Sequence, residues 1–203
     1  MTEIEIRKAS SADKAVLVPV VARAFASQPV THWLVGSDAA ALSRGERLIE
    51  LEFEKALPYD LTYTTNDLCA AALWHPPDNK NDLKRDLMLA LKSAAQIRLG
   101  RNFLSLVMMG LRLGLSEPEA RHFYLAILAV APSLQGKGIG ARLLQPGLAL
   151  CDRQGVPAYL VTDTEGAVRF YQRLGFQVRN HIPVFRTSLS LWTMWRLPDA
   201  HPA

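Results

Sequence analysis

The residues whose types and spacing point most directly to chemistry are Val130–Gly140, Val-Ala-Pro-Ser-Leu-Gln-Gly-Lys-Gly-Ile-Gly. Gly136, Gly138 and Gly140 fall at every second position, so bare backbone can approach a ligand there without Cβ atoms in the way. An apolar, strand-like run from Phe123 to Val130 leads into the loop. A helix-like segment with Leu143, Leu144, Leu148 and Cys151 leads out of it. Free amides at a helix start, helped by the helix dipole, form an anion site, and Lys137 adds a mobile positive charge. These are the parts of a phosphate or pyrophosphate cradle. A P-loop needs G-x-x-x-x-G-K-[ST], and no Gly-Lys-Ser or Gly-Lys-Thr occurs in the chain. A dinucleotide fingerprint needs G-x-G-x-x-G near the first strand. Here the third glycine comes one residue early and the loop lies past the middle of the chain. The pattern Q/R-x-x-G-x-G/A is met by Gln135, Gly136, Lys137, Gly138, Ile139 and Gly140.

A second segment follows about 30 residues later: Ala167–Phe176, Ala-Val-Arg-Phe-Tyr-Gln-Arg-Leu-Gly-Phe. Val168, Tyr171 and Leu174 are spaced by three, which suits one face of a short helix. Gly175 is placed to end that helix and Phe176 to start another strand. The ordered pair of motifs resembles the GNAT superfamily of acyl-CoA-dependent N-acetyltransferases. The resemblance is strong over residues 120–180 and weaker at Leu68–Pro77 and residues 3–25.

The resemblance implies an α/β (α+β) GNAT fold: a central, mixed, mostly antiparallel sheet with splayed central strands and flanking helices. It implies acetyl-CoA as co-substrate, with the pyrophosphate held by amides of the Gln135–Gly140 loop. Backbone groups at Leu128 and Val130 would pair with the pantetheine arm, the Leu128 N–H pointing at the thioester oxygen. Tyr171 would sit beside the sulfur as the acid, since a phenol with a pKa of about 10 is protonated at neutral pH. The implied reaction is direct attack by a primary amine, of a small molecule in the first instance. Two departures matter. Tyr124 stands where several relatives carry a catalytic glutamate, and Ala167 where an asparagine often reaches the CoA arm. Thr162, Asp163 and Thr164 are the nearby substitutes for the latter. His122 and His75 are candidates for the missing base, each with a plain hydrogen-bonding role as the alternative. The departures keep open a CoA-binding sensor or interaction module with impaired catalysis. Acetylation of a protein N-terminus or lysine is a further alternative.

The elements that must position these residues follow from periodicity. Residues 3–7 alternate as a half-buried strand, and a helix capped by Ser10 or Ser11 runs to about Ala26 with Val16, Val20, Val21 and Phe25 inward. Residues 28–36 read as a break or short turn, and 42–57 as a helix ended by Pro58. Strands follow at 59–65 and 68–74, joined by Asn66-Asp67. Residues 80–114 form a helical insertion of two amphipathic helices broken near Gly100, suited to cover an acceptor pocket, form a subunit interface of a homodimer, or simply pack on the core. The central strand at 122–130 precedes a helix at 139–154 that contains Pro146 and ends at Gly155. A strand at 158–162, a helix at 166–174 and strands at 176–179 and 191–195 complete the series. Trp33, Trp74 and Phe25 are candidate walls of an acceptor site.

Composition bounds the rest. The 203 residues suit a single N-acetyltransferase domain over 1–203, with 120–180 as its acyl-CoA-binding core; 49 % are hydrophobic and 21 % charged. The net charge is +4 and no Lys/Arg run exceeds two, so neither a nucleic-acid nor a membrane partner is expected. Cys69 and Cys151 lack metal or redox spacing and read as buried free thiols, and no metal site is expected. Absence of a signal segment or an apolar run of about 18 residues points to the cytoplasm.

Overall fold

The computed structural model describes residues 4–77 and 103–199. Its first half contains β1 (Ile6–Lys8), α1 (Lys14–Phe25), α2 (Pro29–Val35), α3 (Ala41–Ala56), β2 (Thr62–Thr65) and β3 (Ala70–His75). Its second half contains α4 (Phe103–Ser116), β4 (Phe123–Val130), α5 (Ile139–Gln154), β5 (Ala158–Thr162), α6 (Glu165–Gln172), β6 (Gln177–Pro183) and β7 (Ser190–Arg196). The seven described strands form one sheet in the order β1-β2-β3-β4-β5-β7-β6. Only β4 and β5 run parallel; every other neighbouring pair is antiparallel. The expected mixed α/β architecture is therefore present.

Each face of the sheet has its own apolar layer. On one, Leu143, Leu144, Leu148 and Cys151 of α5 pack with Val168 and Tyr171 of α6 against Ala70, Ala72, Trp74, Phe123, Leu125 and Leu160. On the other, Leu17, Val21 and Ala24 of α1 join Phe53 of α3 against Ala71, Leu73, Ile127 and Ala129. Strand β4 contributes to both layers. Its buried residues alternate without interruption, but Phe123 and Leu125 belong to the α5 layer while Ile127 and Ala129 belong to the α1/α3 layer. The cause is a bulge. Leu73 pairs with Ile127 and Trp74 with Leu125, so Ala126 is an extra residue that swaps the two faces of the strand.

Several expectations are corrected. Residues 29–35 form a helix rather than a turn: Pro29 occupies its first turn, where a proline costs no hydrogen bond, and the Asp163 carboxylate accepts the Val30 N–H at 2.9 Å. Helix α1 begins at Lys14 after a 3-10 turn, and Val16 is half exposed while Leu17, Val18, Val21 and Ala22 are buried. The first strand is Ile6–Lys8 rather than 3–7. As expected, α5 continues through Pro146 to Gln154 and stops at left-handed Gly155. The second insertion helix is present as α4; the first falls at residues outside those described. Both cysteines are free, and burial pushes the Cys151 thiol up to about 12.

Candidate functional site

Strand β4 ends in an open seam. Its register with β5 covers only Phe123↔Ala158, Tyr124↔Tyr159 and Leu125↔Leu160. Above Leu125 the two strands part, as the splay requires. Which peptide groups face the gap follows from the ladder with β3. The Ala131 N–H donates to Cys69 O at 2.8 Å, and hydrogen-bonded pairs recur every second residue in an antiparallel ladder. Ala129 and Ile127 therefore bond to β3, which turns the Leu128 and Val130 peptide groups toward β5. One of these is used internally, since Gln135 Nε2 donates to Val130 O at 3.1 Å. Gln135 thereby ties the loop to the strand end.

The loop continues the seam. Pro132–Leu134 makes a 3-10 turn, and Gly136 and Gly138 then adopt φ of +78° and +77°. These are left-handed conformations that side-chain-bearing residues rarely hold. Gly138 is the N-cap of the 16-residue α5 and offers no side chain to the amides of Ile139, Gly140 and Ala141. Those amides and the helix dipole face outward as an anion site. Lys137 is exposed beside them. Gly140 has a different role. A Cβ there would stand 3.6 Å from Phe170, 3.7 Å from Val130 and 3.8 Å from Leu128. The glycine loop, the strand end and the helix of the second motif thus meet at one point.

Tyr171 lies in the same layer. Its ring is edge-on to Phe170 at 5.1 Å and to Phe176 at 5.7 Å. Its hydroxyl has no hydrogen bond among the described residues, and burial pushes the phenol above its ordinary value, so it stays protonated through neutral pH. The short α6 that carries it starts at Thr164, whose Oγ1 accepts the Ala167 N–H at 3.2 Å. It ends at Gln172, and the turn that follows closes at Gly175, where φ is +87° and the Phe176 N–H returns to Tyr171 O at 3.1 Å. Of the substitutes named for Ala167, Thr164 is engaged as the cap of α6 and Asp163 accepts the Val30 N–H of α2.

The opposite face carries a row of rings across four strands. His75, Tyr124, Tyr159 and Trp195 occupy successive register positions, with centroids 6.0, 5.8 and 6.4 Å apart. His75 Nε2 lies 3.6 Å from Glu52 Oε2 on α3, while its Nδ1 is buried without a hydrogen-bond partner among the described residues. His122 is used differently: its Nδ1 is 2.7 Å from Ala120 O and its Nε2 3.7 Å from Glu117. Trp74, expected as an acceptor wall, is fully buried against α5 on the other face. No pattern in the sequence points to Glu52, the Ala126 bulge or the Asp163–α2 tie, because each depends on residues brought together only by the tertiary fold. Among the described residues no group of His, Cys, Asp and Glu is placed to hold a metal ion, and no helix is long and apolar enough to cross a membrane.

Comparison with known proteins agrees with this arrangement. The Acetyltransferase (GNAT) family model matches residues 102–176, which include the loop and the Tyr171 helix. An uncharacterized N-acetyltransferase of Schizosaccharomyces pombe is 26 % identical over 149 residues, covering 68 % of this chain and 60 % of that protein. The chain therefore spans about three fifths of that relative's length. A solved structure of a histone acetyltransferase and related acetyltransferase from Corynebacterium glutamicum superposes with a TM-score of 0.69 at 24 % identity, covering 100 % of this chain and 99 % of that one. An N-acetyltransferase from Thermoplasma acidophilum, solved in complex with coenzyme A, superposes with a TM-score of 0.57 at 15 % identity, over 97 % of this chain and 99 % of that one. Over residues 102–176, which carry β4, the glycine loop and the Tyr171 helix, the chain matches the acetyltransferase (GNAT) family, and its described fold is that of the solved acetyltransferases.

Proposed function

We propose that the protein is an N-acetyltransferase that moves an acetyl group from acetyl-CoA to the primary amine of a small molecule. The observation that carries this is the alignment of the open β4 edge at Leu128 and Val130 with the outward amides of the Gly136–Gly140 loop. An extended amide-containing arm ending in a pyrophosphate needs such a run of backbone partners followed by an anion site. Acetyl-CoA supplies the activated acyl group as a thioester.

The chain's own groups then have defined tasks. Amides of Gln135 to Gly140 hold the phosphates, with Lys137 adding a solvent-screened charge. The Leu128 N–H donates to the acyl oxygen and stabilises negative charge there. The Tyr171 hydroxyl, kept protonated by burial, donates to the sulfur as it departs. The aromatic row with Glu52 and Glu117 nearby supports a cationic, partly apolar acceptor. The engaged Asp163 and Thr164 beside Ala167 favour a second reading, a CoA-binding module with weak turnover.

A panel of small amines and an N-terminal peptide, each with acetyl-CoA, separates these readings when thiol release is followed. The expected result is turnover with at least one small amine and none with the peptide. Tight CoA binding without thiol release on any acceptor would overturn the enzymatic assignment. Peptide turnover alone would move the acceptor to proteins.

A further inference from the structure

His75 closes β3 on the face opposite α5, and only 7 % of it is exposed. Its two nitrogens have unequal surroundings. Nε2 faces the Glu52 carboxylate at 3.6 Å, within ion-pair range. Nδ1 is buried and has no partner among the described residues, an arrangement that native interiors avoid unless a water or ligand completes it. The ring stacks on Tyr124 at 6.0 Å with planes 16° apart, and Tyr59 meets its edge at 6.3 Å. Tyr124 lies on β4 two residues before the Ala126 bulge and four before Leu128. The imidazole therefore stands beside the strand position immediately below the parted seam.

The charged and titratable groups around the ring are Glu52 and Lys55 of α3, Tyr59 and Tyr124. Burial pushes the Glu52 carboxyl up, but His75 and the Lys55 ammonium, whose Nζ is 2.8 Å from Glu52 Oε1, together hold it below its ordinary value. Glu52 is thus a carboxylate at neutral pH, suited to keep a proton on Nε2. His122, the other histidine near the aromatic row, has both nitrogens engaged.

We infer that His75 is the proton acceptor for the incoming amine, with Glu52 orienting the ring so that the Nδ1 lone pair receives the proton. The inference rests on the acyltransfer function proposed above and gives that reaction the base it otherwise lacks. The acceptor's ammonium form gives one proton to Nδ1, through a water where the amine does not reach the ring. The freed nitrogen lone pair forms the new N–C bond and the C–S bond breaks. The sulfur takes a proton from the Tyr171 hydroxyl, and the second proton lost by the nitrogen restores that hydroxyl through solvent. His75 then releases its proton, so one proton leaves per turnover.

The test combines a readout on the free protein with kinetics. Nitrogen-15 NMR of the free wild-type protein should place the neutral imidazole proton of His75 on Nε2; a proton on Nδ1 overturns the inference. The His75→Gln and His75→Ala variants, shown folded by circular dichroism, should lose at least tenfold in kcat/KM. They should also lose the fall in rate toward acid pH, and added imidazole should restore part of the His75→Ala rate. Glu52→Gln should also lower kcat/KM, because the ring loses the carboxylate that holds its Nε2 proton in place. Wild-type turnover with an unchanged pH profile in both His75 variants would overturn this inference alone. A wild-type protein that releases no thiol with any amine would overturn the acyltransfer function and this inference with it.

Discussion

At the scale of single residues, the site divides into groups that a motif announces and groups that only the fold assembles. Tyr171 is announced, because its spacing to the glycine loop and to Gly175 identifies it. Its surroundings add that burial raises the phenol above its ordinary value. A phenol so held releases its proton reluctantly, which suits the hydrogen bond to a developing thiolate proposed above. Tyr171→Phe should lower kcat at least tenfold and leave acetyl-CoA affinity nearly unchanged, measured by steady-state kinetics beside calorimetry; an unchanged kcat would remove its role as acid. Asp152 and Arg196 are not announced. Arg196 Nη1 lies 2.6 Å from Asp152 Oδ1 and its Nε reaches Leu174 O at 3.1 Å, so one guanidinium joins α5, β7 and the turn that ends α6. The hydrogen bonds from Arg196 hold the Asp152 carboxyl below its ordinary value despite burial. A depressed carboxyl stabilises the fold fully above the unfolded-state pKa of about 3.9, and that contribution drains away as pH falls further. Denaturant titrations across pH should therefore show a flatter loss of stability below about pH 4 in Asp152→Asn than in the wild-type protein. Equal slopes would show that the pair does not couple protonation to folding.

At the scale of elements, α5 and the loop before it show why three glycines of similar appearance do different work. At Gly147 a Cβ would fall 2.4 Å from Trp74 Cε2 and 2.5 Å from Nε1, so the helix and β3 touch through a missing side chain. Gly147→Ala should overpack this contact at a cost of about 1–3 kcal/mol. In thermal unfolding that is a fall of roughly 2–4 °C per kcal/mol, and an unchanged Tm would show that the indole moves freely. At Gly136 and Gly138 a Cβ would meet nothing within 4 Å, yet φ is left-handed at both. Gly138→Ala should therefore act through backbone conformation, costing about 1–2 kcal/mol and weakening CoA binding roughly 5–30-fold. Calorimetric titration with CoA measures this directly, and an unaltered affinity would sink the strained-loop argument. The order of elements was largely legible, because helical and strand periods and the Pro and Gly breaks mark their bounds. Residues 29–35 were not: a Pro, a His and a Trp in seven residues look like a turn until the Asp163 carboxylate, more than a hundred residues away, is seen capping them.

At the scale of the whole molecule, the sheet is a continuous layer divided in its middle, and β4 is where the division is made. Nothing in Phe123-Tyr-Leu-Ala-Ile-Leu-Ala-Val predicts a bulge, since a nearly all-apolar strand has no polar alternation to slip out of phase. The GNAT resemblance carried the splay into the sequence reading, whereas the registers of β4 with its two neighbours locate it. The arrangement has a consequence for how the protein tolerates change. In the proposed mode of binding, recognition of the donor above Ala126 is entrusted to peptide N–H groups, which every residue but proline possesses. The letters at positions 128 and 130 are then free to drift among apolar types while the function persists, and a catalogue of invariant side chains would overlook both. Val130→Leu should therefore leave CoA affinity within about twofold, by calorimetric titration. Val130→Pro should abolish binding, because it deletes an amide on the side the β3 ladder does not use.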